Sequence, residues 1–147
     1  MEEIPRRRAT VTIVIDSSVT LGWVYEDEQN EGTSYVLDLV TREGAWVPAI
    51  WHLEVANGLQ GGIHRRRIDR RFRDGALADL GKLNIQIDGE TAGLAWSDTL
   101  KLADHFRLTL YDACYLDLAH RRDLPLATLD RQLRTAGRKL GIELLGT

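Results

Sequence analysis

Hydrophobic positions along the chain fall into short β-branched runs that alternate with longer stretches at helical spacing. The first run, Val11 to Ile15, is apolar at nearly every position and fits a strand buried on both faces of a parallel sheet. It stops at Asp16, and Ser17 and Ser18 follow as residues able to cap a helix over 17–23. Glu26 to Gly32 is polar and reads as a loop. Tyr35, Val36, Leu37, Leu39 and Val40 predict a helix over 33–42 that ends near Gly44. Ala45, Trp46 and Val47 predict a strand closed by Pro48. Helices follow over 50–67 and 69–82, then a strand over 83–87. One long helix is predicted over 89–106, with Leu94, Ala95, Leu102 and Ala103 inward, and a strongly apolar one over 109–121. A strand at 126–128, a helix over 130–140 and a strand at 142–145 close the pattern. Strands alternating with helices predict an α/β fold, a mainly parallel sheet with helices on both faces.

Length and composition bound this picture without changing it. A chain of 147 residues with 44% hydrophobic content reads as a single domain over 1–147 with a real core, its charged residues 1–10 forming a loose extension. Arg6, Arg7 and Arg8 precede an apolar run of only about five residues, too short for a secretory signal. No stretch approaches the roughly 20 apolar residues of a membrane span. A net charge of -3 makes any nucleic-acid surface a local patch. Cys114 is the one cysteine, so no internal disulfide forms, which suits a reducing cytoplasm. It reads as a small core residue, and Trp23, Tyr25, Trp46, Trp51 and Trp96 as mostly core, with Trp23, Tyr25 and Trp51 as an alternative contact patch.

Four acids carry the chemistry. Asp16 ends the first strand, where open α/β sheets place their ligands. Glu54 lies on a mostly apolar helix and shares its face with Asn57, Gly58 and Gly61, glycines that either open a groove beside it or ease helix packing. Asp112 lies on an apolar stripe with Leu116 and Ala119, near a helix start. Asp130 repeats the strand-to-acid pattern of Asp16, with Thr128 able to support it. Each alone also reads as a helix cap or a surface acid. Asp117 pairs better with Arg121 as an exposed i,i+4 salt bridge. Converging carboxylates repel unless a cation neutralises them, and hard oxygen ligands suit Mg²⁺ or Mn²⁺. Such a metal activates water and stabilises charge on a phosphate, which points to phosphodiester hydrolysis. No Ser-His-Asp or Cys-His set emerges, and a phosphoaspartate phosphatase would want an acid where Ser18 stands.

In their order along the chain, VIDSSV, WHLEVANGL, LYDACYLDLA and LATLDRQL resemble a PIN-domain ribonuclease of the VapC toxin type. The resemblance spans about Val11 to Leu145. It implies a three-layer α/β/α sandwich and an acidic site of Asp16, Glu54, Asp112 and Asp130. Within it, Asp16, Asp112 and Asp130 hold Mg²⁺, with Ser17 and Thr128 in support. It further implies a tRNA- or rRNA-class substrate, a cognate antitoxin, a homodimer and a hetero-oligomer with the antitoxin. The segment HRRRIDRRFR carries six arginines in ten residues, and Arg65, Arg66, Arg67, Arg70, Arg71 and Arg73 are the expected RNA-binding side chains. The alternatives are a catalytically inactive PIN-fold RNA-binding or scaffold protein and a related metal-dependent DNase.

Overall fold

The computed structural model describes residues 12–147. The expected extension over 1–10 and the expected strand start at Val11 lie outside them. Among the described residues the strands are β1 (Ile13–Ile15), β2 (Ala45–Val47), β3 (Ile85–Ile87), β4 (Leu126–Ala127) and β5 (Leu144–Leu145). The helices are α1 (Ser17–Val24), α2 (Glu31–Glu43), α3 (Trp51–His64), α4 (Arg70–Leu80), α5 (Thr91–Leu94), α6 (Asp98–Phe106), α7 (Leu110–Arg122) and α8 (Arg131–Lys139). A 3-10 turn, Glu26–Glu28, occupies part of the expected loop.

All strand pairs are parallel, in the order β3-β2-β1-β4-β5. The chain leaves β1 toward β2 and β3, then returns to lay β4 on the other side of β1. The boundary between β1 and β4 is therefore the topological switch point, whose carboxyl-end crevice is the usual ligand site of such sheets. Helix α1 packs on α2 and α3, and α3 on α4; α6 packs on α5 and α7, and α7 on α8. With right-handed crossovers these two groups cover opposite faces, giving three layers. The burial of Ile13, Val14 and Ile15, all at 0% exposure, follows from that double cover.

Two glycines set how closely α1 meets α3. A Cβ at Gly58 would overlap Leu21 Cδ1, and one at Gly62 would overlap the Tyr25 hydroxyl. The α3 glycines Gly58 and Gly62 thus permit close packing against α1. Tyr25 donates from its hydroxyl to the Gly58 carbonyl (3.1 Å), and Trp51 Nε1 donates to Thr20 Oγ1 (3.0 Å). Trp23 Nε1 donates to the Thr33 carbonyl (2.8 Å). Trp23, Tyr25 and Trp51 are buried, so they form core rather than a contact patch.

The single helix predicted over 89–106 is broken between α5 and α6. Thr91 faces inward in α5, and Thr99 and Ala103 do so in α6. On one straight helix those inward directions would lie about 100° apart, so the break rotates the second segment onto the core. Trp96 falls in the break and is 92% exposed, against the expectation of a core residue. Asp117 does bond Arg121 (2.8 Å), but it is buried, on the side of α7 where Arg121 reaches the β3 end of the sheet. Arg121 also reaches the buried Asp88 (2.7 Å) and Glu90 (2.9 Å), while Arg122 pairs with Asp88 (3.3 Å) and lies 3.7 Å over the Trp46 ring. The expected exposed salt bridge is thus part of a partly buried network.

Candidate active site

Asp16 stands where β1 ends, and it is itself the N-cap of α1. Its Oδ1 accepts from the Val19 N–H (3.0 Å) and the Ser18 hydroxyl (2.7 Å). The expected capping serines therefore serve differently: Ser18 braces the acid and accepts from the Leu129 N–H (3.0 Å), tying the β1 end to the β4 end. Asp16 Oδ2 accepts from the Thr128 hydroxyl (2.5 Å), and Thr128 Oγ1 in turn accepts from the Asp130 N–H (3.0 Å). Thr128 thus bridges two of the four predicted acids. Register explains the meeting, since Ile15 pairs with Ala127, which sets Asp16 beside Thr128. Burial pushes the Asp16 pKa up to about 6; Ser18, Thr128 and Val19 oppose the rise and the Asp112 charge adds to it.

Asp112 lies in the first turn of α7, whose N-cap Thr109 accepts from the Asp112 N–H (3.1 Å). Burial raises its pKa, and the Asp130 charge raises it further. Glu54 lies in the first turn of α3 and accepts from the Tyr115 hydroxyl (2.6 Å), a bond that joins the two helical layers. Burial raises the Glu54 pKa, the Tyr115 and Ser17 hydroxyls hold it down, and the Asp112 charge raises it. Asp130 caps α8 by accepting from the Leu133 N–H (2.8 Å). Asp112 is therefore the common electrostatic neighbour of the other three acids.

Two partners were not foreseen in these roles. Tyr115 lies one turn beyond Asp112 on a neighbouring part of the helix face, a polar group in an apolar run. Arg134 Nη1 donates to the carbonyls of Thr128 (2.8 Å) and Leu145 (3.0 Å), clamping the end of β4 to β5. Its signal was its position four residues after Asp130. Cys114 is buried and its thiol is pushed up to about 11, as suits an inert core residue.

No cation pairs with Asp16, Glu54, Asp112 or Asp130 among the described residues. The donor set is carboxylate oxygen, which suits a hard divalent ion. Among the described residues no three His, Cys, Asp or Glu side chains form a ready-made cage. An ion here would take few direct carboxylate ligands and keep water, as Mg²⁺ does.

Of the six predicted RNA-binding arginines, Arg67 is tied to Asp27 (2.9 Å) and stacks on Tyr25, and Arg73 is tied to Asp74 (2.9 Å) and Gln60 (2.6 Å). Arg65, Arg66, Arg70 and Arg71 are exposed without ion-pair partners among the described residues. The groove beside this segment, about 1060 Å³, is mixed in charge, with Glu26, Asp27 and Asp69 among its walls.

The family model of the PIN domain matches residues 13–139. The chain belongs to the PIN domain family. PIN domains are generally nucleases and typically use divalent metals. This PIN domain has the fold of two solved structures. PAE2754 from Pyrobaculum aerophilum superposes with a TM-score of 0.58 at 18% identity, covering 87% of this chain and 86% of that one. FitAcB from Neisseria gonorrhoeae superposes with a TM-score of 0.61 at 17% identity, covering 90% and 96%. No curated protein sequence matches. No helix among the described residues of this PIN domain is long and apolar enough to cross a membrane.

Proposed function

We propose that this PIN domain is a divalent-metal-dependent endoribonuclease, acting in the cytoplasm as the toxin of a VapBC-type pair. The reading is carried by Asp16, a buried carboxylate at the switch point that feels the charge of Asp112 and forms no ion pair among the described residues. Burying such a charge is costly unless a cation offsets it. Asp16, Asp112 and Asp130 are the residues that would hold Mg²⁺ or Mn²⁺. The bound ion supplies a Lewis acid for the phosphate and a water of lowered pKa. Thr128 keeps Asp16 and Asp130 in register, and Ser17 and Tyr115 steady Glu54. Glu54, with its raised proton affinity, would orient the attacking water and take its proton as the water oxygen bonds to phosphorus, while the P–O ester bond breaks and the departing ribose oxygen takes a proton from solvent water.

Arg65, Arg66, Arg70 and Arg71 supply positive charge for structured RNA of the tRNA or rRNA class, while Arg67 and Arg73 fix the segment that carries them. The motif resemblance supports a cognate antitoxin. The exposed Leu53 and Trp96 offer apolar surface for a second copy. Purified protein is expected to cleave RNA in Mg²⁺ or Mn²⁺, to stop in EDTA, and to lose cleavage as Asp16→Asn. Equal cleavage by wild type and Asp16→Asn would sink the reading. Growth arrest on expression, absent for Asp16→Asn, tests the toxin role.

A non-catalytic scaffold is the second reading, because Asp16 and Asp130 both already serve as helix caps. RNA binding without metal-dependent cleavage would favour it. Preferential cleavage of DNA would instead point to a DNase.

A further inference from the structure

A second groove, about 420 Å³, lies between the end of α6 and one face of α8. Arg107, Arg131 and Lys139 line it with His105, Gln132 and Thr135, and no acid does. Arg107, Arg131 and Lys139 are exposed and form no ion pair among the described residues. In a chain of net charge -3, a groove of uncompensated cations is a local departure that selects an anionic ligand. The HRRRIDRRFR groove differs, since acids share its walls.

Its position is as informative as its charge. Arg107 closes α6 and lies two residues before Thr109, the cap that accepts from the Asp112 N–H. Arg131 directly follows Asp130. Lys139 lies eight residues further along α8, about 12 Å at the helical rise. The cations thus begin where the acids end and continue away from them in one direction.

We propose that the α6–α8 groove is the track of the sugar-phosphate backbone of single-stranded RNA passing to or from the acids, with Arg107, Arg131 and Lys139 neutralising its phosphates. This rests on the nuclease reading above and adds a direction to it. The test is binding of a short fluorescein-labelled single-stranded oligoribonucleotide to Asp16→Asn protein, measured against salt. For single strands each neutralised phosphate contributes about 0.7 to the slope of log K against log salt. Adding Arg131→Gln and Lys139→Gln is expected to lower that slope by about 1.4 and to weaken binding roughly 10–30-fold at about 0.1 M salt. The charge-keeping pair Arg131→Lys with Lys139→Arg is expected to restore the slope. In the active protein the Gln pair is expected to raise KM while leaving kcat at saturating RNA.

An unchanged slope in a Gln pair whose circular dichroism matches wild type overturns the inference, whatever the cleavage result. Displacement of bound RNA by RNA competitors but not by polyglutamate supports it. Tight polyglutamate binding that depends on Arg131 and Lys139, with RNA binding unaffected by their loss, overturns it in favour of an acidic protein segment. If wild type shows no nuclease activity yet RNA binding follows the Gln pair, the groove stands and the nuclease reading falls.

Discussion

Twice the chain runs a strand into an aspartate and on into a helix, at Ile15-Asp16-Ser17 and again from Ala127 through Asp130 to Arg131. Locally the two are near copies. Each acid is an N-cap whose Oδ1 accepts from a backbone N–H three residues on, at 3.0 Å for Asp16 and 2.8 Å for Asp130. Their surroundings differ. Asp16 is 5% exposed beneath the switch point and bears the charge of Asp112, whereas Asp130 is only partly buried at the groove end of α8. One motif therefore yields two kinds of carboxylate, one held at a cost and one held cheaply. Under the proposed reading both carboxylates face the metal, but only Asp130 is already stabilised there by an open, solvent-sharing cap.

The largest expected effect is on cleavage. Asp16→Asn and Asp112→Asn should each lower RNA hydrolysis by about 10²–10³-fold or more, the scale of losing a group that organises transition-state charge. Single-turnover cleavage checks it, and a loss confined to Asp112→Asn would break the assignment of Asp16.

A pH effect comes next. The folded pKa of Asp16 is raised to about 6 from an ordinary 3.8. The folded state therefore holds its proton more tightly than the unfolded state does. This group's stability is fully present below about pH 4 and is lost as pH rises through about 6, by on the order of 2–3 kcal/mol without divalent metal. Asp16→Asn should accordingly raise Tm at pH 7 but not at pH 4, by thermal denaturation in EDTA. Millimolar Mg²⁺ should flatten the wild-type profile by favouring the ionised acid.

Thr128→Val probes the bridge between the two copies. It strips the Asp130 N–H of its acceptor and Asp16 of a donor, and should cost about 1–3 kcal/mol. A fall in urea midpoint at unchanged slope would show it, and near-wild-type stability would show that the bridge is dispensable.

The smallest effect belongs to Asp130. Replacement by Ala should cost about 1 kcal/mol of cap, whereas Asp130→Ser should keep stability within a few tenths. Both should impair cleavage alike if the carboxylate holds metal. Wild-type cleavage by Asp130→Ser would reduce Asp130 to a cap.

The sequence made the order of elements legible because β-branched runs and helical spacing report local periodicity directly. The acids were legible because each interrupts or ends an apolar pattern. Burial was less so. Asp117 and Arg121 pair as their spacing says, but nothing in i,i+4 spacing reveals that Asp88 and Glu90, beyond β3, meet that face. Trp96 looked like core because bulk apolar area suggests burial, and the break between α5 and α6 depends on two inward faces that misalign. Tyr115 and Ser18 gained their roles from partners in other layers, Glu54 on α3 and Leu129 after β4, which periodicity cannot supply. The arginine-rich segment stood out by count, but Asp27, Asp74 and Gln60 consume part of its charge. The α6–α8 groove instead assembles its cations from separate elements.

The bond from Thr128 to Asp16 spans 112 residues of chain. β1 leaves the ribosome before β4, and β4 must emerge before it can flank β1. At about 5–20 residues/s, the interval between synthesising the two residues is roughly 6–20 s. Throughout that interval the nascent chain carries Asp16 with neither Thr128 nor Asp130, so no partial product holds an assembled centre. Under the proposed reading, a chain that cleaves RNA would thereby stay harmless until Thr128 and Asp130 have been made.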